Sequence, residues 1–166
     1  MRRLILLRHA SAENARDDAL RELSARGRTE ATQAGERIAA LGANWAPTRA
    51  RCSTALRASA TLELARPALA SLREVEFDSR LYLASAGELL NAVRRAPDAD
   101  ACLLVIAHQP GLGELVRQLA RRATPEARTG LARGMTPASF AALALDIPSW
   151  EAAMPACAEL VAFAQP

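Results

Sequence analysis

Two stretches that are apolar at every position lead to this chain's two histidines. Leu4-Ile5-Leu6-Leu7 runs into Arg8-His9, and Cys102-Leu103-Leu104-Val105-Ile106-Ala107 runs into His108. A short apolar run bounded by charged or polar residues predicts a buried strand. Elsewhere the period changes. Over residues 28–41, Ala31, Ala34, Ile38 and Leu41 recur at helical spacing among Glu, Gln and Arg, with Gly42 as a C-terminal stop. Residues 48–53 predict a weaker strand, followed by a helix over about 54–64 that Pro67 breaks. A further amphipathic helix is expected over 85–95, with Leu89, Leu90 and Val93 on one face. Gln109-Pro110-Gly111 opens another through Leu112, Leu115, Val116 and Leu119, with proline near its first turn. Residues 140–145 and 160–163 predict a late antiparallel strand pair.

Strands alternating with helices predict an α/β fold with helices on both faces of a sheet. No repeat, low-complexity segment or long linker divides the chain, so one domain over 1–166 is expected. In such folds functional groups gather beyond the carboxyl ends of the strands.

Composition narrows the function classes. Half of the 166 residues are hydrophobic but only 4% are aromatic, so Ala, Leu and Val must fill the core. All 21 basic residues are arginine, which together with the alanine content reads as a base-composition bias. The net charge of +3 comes from arginines scattered among acids, not from a basic stripe interleaved with aromatics. A nucleic-acid partner is therefore not expected, whereas an anionic or phosphorylated one fits. Cys52, Cys102 and Cys157 are far apart and odd in number, without metal or redox spacing, which points to a reducing compartment. The first apolar run is too short for a signal-peptide core and no run reaches membrane-spanning length. The expectation is a soluble cytoplasmic protein with no metal, no cofactor and no membrane partner.

His9 and His108 are the chain's two histidines, and both sit at the end of a predicted strand. One histidine there reads as structural; two at the same topological place point to a shared site. Arg8 adds a guanidinium fork suited to phosphate or carboxylate. A third segment, Cys52-Ser53-Thr54-Ala55-Leu56-Arg57, ends a strand and puts Arg57 in the first turn of a helix, where an anion is favoured. Ser53 either caps that helix or touches the anion.

These pieces resemble the histidine phosphatase superfamily, of phosphoglycerate-mutase-like fold, and most closely its short SixA-type branch. The matching segments are Leu7-Arg8-His9-Ala10, Leu23-Ser24-Ala25-Arg26-Gly27, Ser53-Thr54-Ala55-Leu56-Arg57-Ala58, Leu81-Tyr82-Leu83-Ala84-Ser85 and Ile106-Ala107-His108-Gln109-Pro110-Gly111. They stand in order over nearly the whole chain, and Glu159-Leu160-Val161-Ala162-Phe163 resembles the branch's last strand. Ala10, Thr54 and Gln109 depart from residues frequent in the family at those positions. The resemblance implies a three-layer α/β/α sandwich with a mostly parallel sheet. It implies His9 as the nucleophile that becomes phosphohistidine, with Arg8, Arg57 and His108 holding the phosphoryl group; a bound dianion and little solvent favour the protonated form of His108. No general acid is assigned: Glu76 and Asp78 lie in the right region but read as solvated loop carboxylates. A phosphoramidate leaving nitrogen needs such an acid less than an alkoxide does, which favours phosphohistidine on a phosphocarrier protein as substrate. A phosphatase for small phosphate esters and a non-catalytic phosphoprotein-binding module are the alternatives. Asp17, Asp18 and Arg21 are expected to tie down the 11–26 loop, whose closure over the site the sequence leaves open.

Overall fold

The computed structural model describes all 166 residues. The strands are β1 (Arg2–Arg8), β2 (Arg49–Ser53), β3 (Glu74–Asp78), β4 (Cys102–Ala107), β5 (Ala120–Ala123), β6 (Phe140–Leu145) and β7 (Ala158–Ala164). The helices are α1 (Ala25–Ala39), α2 (Leu56–Ala65), α3 (Ala86–Arg94), α4 (Gly111–Leu119) and α5 (Pro125–Ala132). The seven strands form one sheet in the order β3-β2-β4-β1-β6-β7-β5. β3, β2, β4 and β1 are parallel to one another, β6 runs antiparallel to both β1 and β7, and β5 is parallel to β7. The late antiparallel pair is present, slightly longer than its apolar letters indicate.

The two apolar runs that lead to the histidines lie in neighbouring central strands, β1 and β4, and this explains their composition. Successive side chains of a strand point to opposite faces, so a strand covered on both sides has no polar position. Leu4 and Leu6 of β1 join Leu103 and Val105 of β4 in one core, under α3, α4 and the buried Trp150. Ile5 and Leu7 join Leu104 and Ile106 in a second core under α1 and α2. Each of these eight side chains is fully buried, which stabilises by roughly 1.5–3 kcal/mol apiece. No helix is long and apolar enough to cross a membrane.

Local chemistry moved several boundaries. α1 begins at Ala25 instead of 28, because Ser24 accepts the Gly27 N–H and acts as its N-cap. A capping box of Ser85 and Glu88 starts α3. β3, β5 and α5 have no apolar run to announce them: β3 reads EVEFD at a sheet edge, where only Asp78 is buried. Glu76 and Asp78 therefore are not solvated loop carboxylates. Both lie on β3; Glu76 pairs with Arg51 at 3.0 Å, and the buried Asp78 bonds Arg80 at 2.9 Å.

One close approach fixes the start of the 11–26 loop. A Cβ on Gly27 would lie 1.8 Å from the Ser11 carbonyl oxygen, and Glu30 on the same helix accepts the Ser11 N–H at 3.0 Å. Gly27→Ala must therefore displace backbone two residues from His9. We expect it to cost about 3 kcal/mol, read as a fall in Tm of roughly 6–12 °C for a chain of this size.

Candidate active site

The carboxyl ends of the parallel strands deliver the chemistry. β1 and β4 pair in register from Arg3 opposite Cys102 to Arg8 opposite Ala107, so the residues that follow, His9 and His108, emerge side by side. Their ring centroids are 5.1 Å apart. β2 lies on the other side of β4 and ends at Ser53; the next helix begins at Leu56, which brings Arg57 over both rings. Four residues on, Thr61 Oγ donates to the Arg57 carbonyl at 2.6 Å and accepts the Ala10 N–H at 3.0 Å, locking the histidine turn to α2.

His9 is buried, and its Nδ1 lies 2.8 Å from the Ala10 carbonyl oxygen. A carbonyl only accepts, so the ring proton sits on Nδ1 and the lone pair belongs to Nε2. Arg57 Nε donates to that lone pair at 3.2 Å. Burial, aided by Arg57, Arg8 and Arg21 and opposed by the Ala10 hydrogen bond, pushes the His9 pKa down to about 4. His9 is thus a neutral imidazole with its basic nitrogen facing the cluster. His108 is pushed down further, to about 3, by burial and then by His9, Arg57 and Arg8, with Asp18 opposing.

Arg57 is almost wholly buried, at 2% exposure, yet it is fully engaged. Its Nη1 donates to the Asp18 carbonyl at 2.6 Å and its Nη2 to Asp18 Oδ2 at 3.0 Å, with His108 Nδ1 3.4 Å from the same nitrogen. Tyr82 donates to Asp18 Oδ2 at 2.6 Å, and its ring stands edge-on to His108 at 5.6 Å. The bonds from Tyr82, Arg57 and Arg21 outweigh partial desolvation and hold the Asp18 carboxyl down at about 2. The 11–26 loop is accordingly docked on the site through Asp18, while Asp17 caps its 3-10 turn by accepting the Ala19 N–H.

Arg8 completes the group from β1. Its Nη1 donates to the Met135 carbonyl at 2.8 Å, but its buried Nε has no partner. Desolvation, then Arg21 and Arg57, lower its pKa. A buried donor without an acceptor, beside another arginine, is a destabilising arrangement that an anion would relieve. Removing it should separate stability from function. Arg8→Met should lower kcat/KM by about 100-fold or more, while thermal denaturation should show equal stability or a gain of about 1 kcal/mol. The Met135 carbonyl keeps the Gln109 amide as a donor, 3.2 Å away, so it is not orphaned.

The site residues expected from the sequence thus fall into two groups. His9, His108 and Arg57 are in mutual contact, and Arg8 is close enough to act on both rings electrostatically. Ser53 is not the N-cap of α2, since Ala55 is, without a side-chain bond; it joins the cluster through His108, its Oγ lying 2.7 Å from His108 Nε2. This arrangement has the parts of an in-line phosphoryl acceptor, a neutral nitrogen nucleophile ringed by fixed cationic donors.

No protein-family model and no curated protein matches the sequence. Solved structures do. A candidate phosphohistidine phosphatase SixA from Nakamurella multipartitia superposes with a TM-score of 0.85 at 29% identity, covering 99% of this chain and 96% of that one. Over its whole length the chain is thus similar to the short SixA-type branch of the histidine phosphatase superfamily. A candidate SixA from Agrobacterium tumefaciens follows at 0.79 and 21% identity, covering 99% and 98%. The protein histidine phosphatase SixA complexed with tungstate matches at 0.74 and 23%, covering 98% and 94%; at these identities the likeness is one of fold.

Within this histidine phosphatase framework, sequence reasoning missed two residues of the cluster, Asp18 and Tyr82. Asp18 was expected to tie the loop down, which it does, but its anchor is Arg57 itself. Tyr82 had a signal that went unused: it is the chain's single tyrosine and lies inside one of the matching segments.

Proposed function

We propose that this protein is a phosphatase that removes a phosphoryl group through a covalent phosphohistidine intermediate on His9. The observation that carries the reading is the tautomer of His9, whose Nδ1 is tied to the Ala10 carbonyl so that Nε2 offers its lone pair to the cluster. Nε2 attacks phosphorus and the bond to the leaving atom breaks, the electron pair going with the leaving group. Arg8, Arg57 and His108 hold the equatorial oxygens as charge spreads over them. Water then attacks the phosphorus, releasing inorganic phosphate and returning His9 to its neutral form. The two arginines supply the positive charge, so the scheme needs no metal ion.

The substrate we propose is phosphohistidine on a protein, such as a histidine phosphocarrier domain. Its leaving nitrogen departs without a strong general acid, and the carboxylates nearby are unsuited to that role. Asp18 is ionised down to about pH 2, while Glu76 and Asp78 are paired with arginines. Likeness to proteins described as phosphohistidine phosphatases supports the same choice. We place the activity in the cytoplasm, with no role for nucleic acid or membrane.

The test compares a phosphohistidine-bearing phosphocarrier domain with a panel of small phosphate esters. The phosphoprotein should be dephosphorylated at least about 100-fold faster in kcat/KM, the spread that a good leaving group and a matched surface can supply. Faster ester turnover with an inert phosphoprotein would make this a small-ester phosphatase. Phosphate binding with no turnover of either would make it a binding module.

A further inference from the structure

Ser53 closes β2 with no solvent exposure, and its hydroxyl lies between a backbone N–H and a histidine ring nitrogen. Its Oγ accepts the Ala55 N–H at 3.3 Å and lies 2.7 Å from His108 Nε2. A serine hydroxyl carries one rotatable donor and two acceptor lone pairs, so it serves either form of the ring nitrogen. At the other side of the ring, Nδ1 faces Arg57 Nη2 at 3.4 Å. A guanidinium only donates. In the resting site His108 therefore accepts at Nδ1 and carries its proton on Nε2, pointed at Ser53.

A phosphoryl oxygen arriving beside Arg57 reverses the demand on Nδ1, which must now donate. The ring meets that demand by gaining a second proton or by moving the one it has. A second proton would place a cation in a buried space that already holds Arg57 and Arg8, with His9 at 5.1 Å. Of the groups around the ring, only Asp18 opposes that repulsion, and it is already shared by Arg57 and Tyr82. Moving the proton leaves the charge unchanged: one proton leaves Nε2 to solvent, one arrives on Nδ1, and the Ser53 hydroxyl turns to donate to Nε2.

We propose that Ser53 is a positioning residue that sets the tautomer of His108, so that a neutral imidazole donates from Nδ1 to the bound phosphoryl group. The inference rests on the phosphate-pocket reading above and replaces the protonated His108 expected from a bound dianion alone.

Histidine-ring nitrogen shifts in the full-length, nitrogen-15-labelled protein test it, recorded at pH 6 to 8 with and without saturating inorganic phosphate. The free protein should show a protonated Nε2 and a bare Nδ1 on His108; the phosphate complex should show the reverse. Ser53→Ala removes one buried oxygen and no packing carbon. It should bind phosphate about tenfold more weakly and lose the preference for the Nδ1-protonated ring in the complex. His108 protonated on both nitrogens in a saturated wild-type complex would overturn the tautomer assignment alone. A Ser53→Ala complex that keeps the wild-type tautomer and affinity would also overturn it. Phosphate that moves neither ring's signals would overturn the pocket reading, and this inference with it.

Discussion

Replacing His9 with alanine should lower turnover of a phosphohistidine substrate by about 10⁴-fold or more, because the nucleophile has no substitute in the pocket. His108 is the neighbouring ring, but its Nδ1 faces Arg57 and its Nε2 faces Ser53, so neither nitrogen is aimed as His9 Nε2 is. Folding should survive, since the strand that carries His9 is held by the core of β1 and β4. The pH profile is a second readout of the same atom. A His9 pKa near 4 keeps the nucleophile neutral across the physiological range, so its acid limb in kcat/KM lies near 4 and not near the ordinary 6.5. Stability has the complementary dependence. Unfolding returns both histidines to ordinary values, so the unfolded chain binds more protons between about pH 4 and 6.5. The stabilisation is complete above that window and is lost as pH falls through it.

Arg57→Ala should cost about 10³-fold in kcat/KM, the largest loss expected from a residue that does not itself form a bond to phosphorus. The reason lies in its bonding. One guanidinium touches His9 through Nε, His108 through Nη2 and the 11–26 loop through both Nη atoms. A phosphoryl group entering the pocket takes over donors that Asp18 holds in the resting state, which a planar fork can do by exchanging acceptors. Arg57→Lys supplies one charge at one point and cannot span His9 and Asp18 together, so it should recover less than about tenfold of the loss. Full recovery by lysine, in steady-state kinetics, would mean that charge alone matters and that the fork does not.

Much of the fold was legible because the middles of the central strands have no polar positions. Leu4 to Leu7 and Cys102 to Ala107 could only be strands covered on both faces, and each pointed to its histidine. The edge of the sheet was opaque for the same reason in reverse: β3 and β5 carry charged residues on their open sides, and nothing in EVEFD distinguishes a strand from a loop. The site was legible where a residue's place follows from its element, as with His9, His108 and Arg57. It was not legible where the place depends on a loop folding back. Asp18 reaches Arg57 because the 11–26 loop folds back onto α2, and Ser53 found His108 because β2 and β4 are neighbours, which no local pattern announces.

The central claim is that the phosphoryl group passes through His9 Nε2, and rapid-quench trapping tests it most directly. The protein is mixed with a phosphohistidine-bearing phosphocarrier domain labelled on phosphorus, and the reaction is stopped in alkali within milliseconds. The account predicts a transient label on the protein that is stable to alkali, labile to acid, located on the peptide containing His9, and lost in His9→Ala. A label that is stable to acid, or one that persists in His9→Ala, would contradict it.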